Sequence, residues 1–303
     1  MKKQINTNST WYRIKSNKGC YAMMAPFLAF FVFFTFIPVL ISIVLSLTHF
    51  DMVQAPSFIG FANFENLFLN DDLFLTALRN TLIFALFTAP VSYFLCLFFA
   101  WLINELPPKL RSVMTVIFYM PAIGGNIYTI WQYIFSGDQY GMVNSALMGL
   151  GIIKEPVQWL TDADYALSIC ILVQIWMSLG TAFLSFVAGF RSVDKSLHEA
   201  GAIDGVKNRL QELFYITLPS MGPQMLFGAV MQISGSFSVS AICITLAGFP
   251  STDYSAYTIV TQITDYGQMR YEMGYACAIA VVLFALMVIT NAVIQRILKR
   301  FTD

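Results

Sequence analysis

A chain of 303 residues could hold two soluble domains, but this one is 57% hydrophobic and 11% charged, with 28 Phe and a mean hydropathy of +0.67. Soluble domains carry about 25% charged residues, so the composition excludes that class and predicts an all-α membrane protein. The net charge of zero argues against a nucleic-acid partner.

In chain order, residues 1–20 are polar and basic, with Lys2, Lys3, Arg13, Lys15 and Lys18. The apolar run 21–47 is too long for a signal-peptide core and lacks a small-residue cleavage site, so it reads as an uncleaved first span containing Pro26 and Pro38. Five more runs follow at 76–102, 110–135, 165–190, 222–248 and 274–298. Each is long enough for the roughly 20 apolar residues that a helix needs to cross a bilayer. Six spans put both termini on one side. That side carries 14 Lys or Arg, counted over the N-terminus, 103–111, 191–221 and the C-terminus; the opposite face has only Arg79, Lys154 and Arg270. The bias places both termini and residues 191–221 in the cytoplasm. The opposite loops, 49–75, 136–164 and 249–273, hold eleven of the seventeen acids.

The five cysteines have no C-x-x-C spacing and the only histidines are His49 and His198, so neither a metal site nor a Cys–His nucleophile is expected. No P-loop pattern occurs, which leaves the chain without its own means of hydrolysing ATP. No Asp, Glu, Lys or Arg lies in the middle of a span, whereas an ion-coupled carrier usually keeps one there. No paired carboxylates or Ser/His/Asp set suggests an enzyme.

Residues 196–223, SLHEAGAIDGVKNRLQELFYITLPSMGP, form a polar island between the fourth and fifth runs. Ser196-x-x-Glu199 reads as a capping box that starts a helix, and Asp204-Gly205 as its stop. A second helix follows through Leu218, with Pro219 and Pro223 bounding the next run. The expected shape is helix, glycine turn, helix.

Glu199-Ala200-Gly201-x-x-Asp204-Gly205, followed by Ile216-x-x-Pro219-x-x-x-Pro223, resembles the EAA loop of membrane subunits in ATP-binding-cassette importers. Within that superfamily it is similar to the sugar permeases of the maltose and glycerol-phosphate type, departing at Gly201 and Val206, where those usually have Ala. Phe58-x-Gly60-Phe61-x-Asn63-Phe64 resembles their F-x-G-L-x-N-Y element, and Pro121, Trp131, Gly141 and Asn144 match their P…W…G-x-x-N. The resemblance implies a transmembrane permease subunit of a bacterial plasma-membrane importer, coupled through 196–223 to a separate ATPase. It implies Glu199, Ala200, Gly201, Asp204, Gly205 and Pro219 as coupling residues, Ala200 and Gly201 being small so that the helix sits deep in an ATPase groove. The implied partners are a second related permease, two ATPase subunits that bind ATP and Mg, and an extracytoplasmic solute-binding protein; this chain itself needs no cofactor.

Gln174, Ser178, Thr181 and Ser185 step by four, three and four, which would stack them on one face of the fourth span. In the fifth, Gln232, Ser234, Ser236, Ser238 and Ser240 surround Gly235. Neutral donors and acceptors suit a sugar's hydroxyls, and the resemblance points to the same two spans. The same small polar residues would equally let helices pack closely. Asn126, Trp131 and Gln132 are further candidates. Competing readings are a permease for a non-sugar solute such as glycerol phosphate, a membrane-embedded enzyme, or a single-chain carrier.

Overall fold

The computed structural model describes residues 17–125 and 127–302, and these are helical almost throughout. The first helix, α1 (Lys18–Leu45), leads into a hairpin of β1 (Thr48–His49) and β2 (Ser57–Phe58), then α2 (Ala62–Leu69). Next come α3 (Asp72–Asn104), α4 (Pro108–Ile123), α5 (Ile127–Ile134) and α6 (Met142–Gly149). After α7 (Ala163–Met177), α8 (Thr181–Ser192), α9 (Lys195–Ile203) and α10 (209–220) the chain continues as α11 (Gly222–Phe237), α12 (Ala241–Ala247), α13 (Ile259–Thr264) and α14 (Met273–Thr302).

Helices α1, α3, the α7–α8 run and α14 are each long and apolar enough to cross a membrane; α4 with α5, and α11 with α12, complete six crossings when each bent pair is one span. Residues 110–135 are therefore not the single straight span expected from hydropathy. Pro121 closes the last turn of α4, Gly124 and Gly125 follow, and the chain bends by 83° into α5. The fifth span bends by 42° after Ser238, and the fourth is interrupted at Ser178–Gly180. Two short π-helical turns, Val32–Phe36 and Leu213–Thr217, lie just ahead of Pro38 and Pro219. Proline has no N–H to give the carbonyl four residues back, so the ladder is already broken where each π turn forms.

The molecule is built around α3. Its buried residues run Phe74, Ala77, Thr81, Phe84, Thr88, Ser92, Cys96, Ala100 and Ile103, in steps of three and four, so one stripe faces inward along the whole helix. That stripe enters three apolar clusters. Phe84 shares one with Ile169, Val173, Ile242 and Leu246; Ala77 and Ala85 share the second with Ile233, Ile259 and Ile279; Tyr93 and Cys96 share the third with Phe183, Phe186 and Ala229. By contrast, none of the 28 residues of α1 that pass for a span is buried in the chain, and its second half, Ile37–Leu45, packs chiefly on α14 among the long helices.

The segments 49–75, 136–164 and 249–273, at the end opposite residues 191–221, hold secondary structure of their own. Buried asparagines tie them down. Asn63 Nδ2 donates to Ser46 O and Thr48 O, both at 2.9 Å, and fastens α2 to the end of α1. Asn80 donates to Tyr254 O at 2.9 Å and Tyr257 O at 3.0 Å. Asn144 is wholly buried: its Nδ2 donates to Ser136 O, Asp138 O and Val157 O, and its Oδ1 accepts from Val157 N and Trp159 Nε1, at 2.8–3.1 Å. Gly141 is required beside it, since a Cβ there would stand 2.3 Å from Ser136 O. Asp71 caps α3 through the Phe74 amide at 3.0 Å, while its other oxygen accepts from Gln262 Nε2 at 3.0 Å and Tyr275 Oη at 2.7 Å.

Candidate functional site

The polar island folds as an elbow. Asp194, two residues earlier than expected, caps α9 by accepting from Ser196 N at 3.0 Å. That amide, and then the Ser196 hydroxyl, hold the Asp194 carboxyl below the usual carboxylate range. Ser196 is thus inside the helix and Glu199 is exposed, so the two do not form the capping box their spacing suggested. A variant of the box stands at the next helix instead: Asn208 Oδ1 accepts from Gln211 N at 2.8 Å, and Gln211 Oε1 reaches back to Lys207 N, one residue ahead of the cap, at 2.9 Å. Asn208-x-x-Gln211 is the same signature and could have been read there.

Helix α9 stops as expected. Gly205 adopts φ +94°, and Val206 N donates to Gly201 O at 2.9 Å, closing the last turn in a Schellman-type pattern. The turn folds α10 back on α9, and Gly201 is buried where they meet: a Cβ on it would lie 2.3 Å from Ile216 Cδ1. This gives Gly201 a different reason to be small than a groove on another protein; its contact is internal. The face left open carries Glu199, Ala200, Ile203 and Asp204, with Ile203 87% exposed. Pro219, also exposed, follows the π turn in α10.

A chain of charges braces the elbow. His198 Nδ1 lies 2.7 Å from Glu212 Oε1, Arg209 Nη1 donates to Glu212 Oε2 at 2.9 Å, and Arg209 Nε lies 3.6 Å from Glu105 Oε2 in the short α3–α4 connection. The hydrogen bond to Glu212, with Glu105 behind it, raises the Arg209 pKa further. Arg209 and Glu105 are exposed and His198 and Glu212 partly so, so each pair contributes little alone; their value is to orient α9 and α10 against the end of α3.

The second set of candidates meets where α7 breaks. Ser178 caps α7 and turns its hydroxyl onto Ile175 O at 2.6 Å, while its carbonyl accepts from Gly180 N at 2.7 Å and from Gln232 Nε2 at 3.2 Å. The break interrupts helical periodicity, so Gln174 and Ser178 do not share a continuous stripe with Thr181 and Ser185. Gln232 is buried, with Cys96 Sγ also 3.2 Å from its amide nitrogen, and pins α11 to this break. Thr181, Gly235 and Ser238 are exposed, Gln174 and Ser234 half-buried, and a Cβ on Gly235 would meet nothing. Among the described residues Gln174, Thr181, Ser234 and Ser238 have no side-chain hydrogen-bond partner, unlike Thr81 and Thr88, which bond back to their own helix at 2.7 Å. Trp176 was not singled out from sequence; half-buried between Gln174 and Ser178, it meets Trp131 edge-on at 5.3 Å. An aromatic flanked by two polar residues in one turn was the available signal. Gln132 is committed to Thr245 O, and Asn126 lies outside the described residues.

No protein-family model matches the chain. Individual proteins do. It is 32% identical over 278 residues to the probable ABC transporter permease protein YesP of Bacillus subtilis (strain 168), covering 90% of this chain and 87% of that protein. It is 31% identical over 223 residues to the lactose transport system permease protein LacF of Rhizobium radiobacter, covering 72% of each. Among solved structures it superposes, with a TM-score of 0.77 and 25% identity over 97% of its length and 98% of the other's, on a chain of a bacterial alginate ABC transporter in complex with alginate pentasaccharide-bound periplasmic protein. Sequence, six-crossing architecture and elbow agree, and the chain belongs to the membrane-spanning permease subunits of ATP-binding-cassette sugar importers.

Proposed function

We propose that this chain forms half of the translocation path of an importer that brings a carbohydrate into the cytoplasm of a bacterium, driven by ATP hydrolysis in a separate ATPase. It works with a second, related permease, two ATPase copies and an extracytoplasmic solute-binding protein. The observation that carries the reading is the elbow: a capped nine-residue helix closed by a left-handed glycine, packed from behind by Ile216, presenting Glu199, Ala200, Ile203 and Asp204 outward. A helix laid into a partner's groove uses such a row of anchors. Because α9 is joined to α8 through only Val193 and Asp194, a push on the elbow is delivered to the lower half of the fourth span. Reconstitution tests it: the purified complex in proteoliposomes should hydrolyse ATP faster when a loaded solute-binding protein is added, and a permease that retains no ATPase on copurification would overturn the reading.

The elbow end is assigned to the cytoplasm on the 14 to 3 distribution of Lys and Arg. With the native cysteines replaced, Ser196→Cys should resist an impermeant thiol reagent in intact cells, and Thr252→Cys, exposed at the opposite end, should react. The reverse labelling pattern would invert the topology.

The unpartnered polar groups around the α7 break and on α11 are the proposed sugar contacts, because neutral hydroxyl and amide groups left without protein partners are available to a polyhydroxylated solute. Gln174→Leu should lower uptake roughly tenfold or more by leaving a solute hydroxyl unsatisfied, with assembly and basal ATP hydrolysis unchanged. Wild-type uptake kinetics would assign Gln174 to packing.

A further inference from the structure

A concavity lies beside the elbow. It encloses about 450 Å³ between the end of α3, the start of α4, the end of α8, and α9 with α10. Four cationic side chains line it, Arg111, Arg191, Lys195 and Arg209, against two carboxylates, Glu105 and Glu212. Both carboxylates are already engaged: each pairs with Arg209, and Glu212 also meets His198. Among the described residues no carboxylate lies within ion-pair distance of Arg111, Arg191 or Lys195. Arg111 donates from Nη2 to two main-chain carbonyls, Asn104 O and Leu106 O at the end of α3, while its Nε is buried without a partner. Trp101 and Phe190 add aromatic surface to the same wall.

Four cations against two carboxylates leave this space a net charge of about +2, and with the aromatic wall beside them they call for an anion with oxygen acceptors. We propose that the cavity is a phosphate-binding site, filled by the phosphodiester of an anionic lipid headgroup or by a free phosphate. Guanidinium groups match phosphate oxygens in geometry as well as charge, and basic pockets among helix ends at a membrane surface are suited to anionic headgroups. Bound there, the phosphate would touch α4, α8 and α9 at once and stiffen the elbow from behind.

The test is thermal unfolding of the purified importer complex in a neutral detergent, titrated separately with dihexanoyl phosphatidylglycerol and with sodium phosphate. A saturable rise in Tm is the mass-action signature of binding to the folded state. A response to phosphatidylglycerol alone identifies a lipid site; a response to both identifies a site for phosphate in general. In Arg191→Gln/Lys195→Gln the apparent affinity should fall about tenfold or more, each cation near an anionic headgroup being a sizeable contribution. Arg111 is left intact because it also holds the end of α3. Should the double variant fail to assemble, Lys195→Gln alone, exposed and unpaired, carries the same comparison. No saturable response to either compound overturns the proposal, as does a response that persists undiminished in the variants, since it then belongs elsewhere in the complex.

Discussion

Replacing Asn144 by Leu should strip the 136–164 segment of its organising contact and lower stability by about 3–5 kcal/mol. The side chain holds five polar partners: its two amide hydrogens are shared among Ser136 O, Asp138 O and Val157 O, and its oxygen accepts from Val157 N and Trp159 Nε1. Leu has the same number of heavy atoms but is bulkier, so most of the loss is polar and a smaller part comes from overpacking. Each main-chain or indole group left buried without a partner costs about 1–3 kcal/mol, and the total is reduced by whatever water enters from the nearby surface. Asn144→Asp gives a graded comparison: it keeps the two acceptor contacts, to Val157 N and Trp159 Nε1, and loses the three donated ones. Thermal unfolding in detergent, with a red shift of Trp159 emission as a local readout, measures both. A change under 1 kcal/mol for Asn144→Leu would mean that the loop holds itself by other contacts.

Gly205→Val should uncouple the permease from its ATPase while leaving the six crossings inserted. At φ +94° a β-branched residue is strained by roughly 1–2 kcal/mol or more. No atom stands within 4 Å of the Cβ position, so the cost comes from the backbone alone. To relieve it the turn must open, and the Val206 N to Gly201 O bond and the Gly201–Ile216 contact go with it. Substrate-stimulated ATP hydrolysis in proteoliposomes should drop tenfold or more, and detergent pull-down should recover less ATPase. Gly205→Asn is the control, because Asn tolerates left-handed geometry; it should stay near wild type. Full stimulation by Gly205→Val would remove the elbow from the coupling path.

The existence and number of the crossings were legible because a bilayer demands long apolar runs, and the glycine stop of α9 because Asp-Gly has few other uses. What hydropathy could not show was direction. Helix α3 is apolar all round, so nothing in its sequence distinguishes the stripe Phe84, Thr88, Cys96 from the outward-facing Leu86, Phe94 and Phe98; packing against α8 and α11 decides it. Bends were missed for the same reason: Pro121-x-x-Gly124-Gly125 and the Ser178-Leu179-Gly180 break sit inside unbroken apolar runs. The motif residues Asn63, Gly141 and Asn144 could be matched to a family without revealing why they are there, since their contacts are with backbone atoms of span ends and loops whose positions hydropathy does not give. Gly201 was read as facing a partner because its neighbour Ile216 is fifteen residues away and only the turn at Gly205 brings the two together. In the fourth span the spacing of Gln174, Ser178 and Thr181 assumed an unbroken helix, and the carbonyl that Gln232 holds is the place where that assumption fails.

Helix α3, at 33 residues, is about 50 Å long, some 20 Å more than the hydrocarbon layer it crosses. Its two ends therefore stand outside the lipid, and each is knotted into an assembly: Asp71 into Gln262 and Tyr275 at one extremity, Glu105 into Arg209 at the other. A helix transmits axial and rotational displacement along its length as long as its ladder of bonds is intact. Here the ladder lacks one rung, at Pro90, close to the midpoint. The Asp71 knot and the elbow are thus opposite ends of one strut whose hydrogen-bond ladder is interrupted once, at that proline, and a tilt imposed at either knot is carried to the other through it.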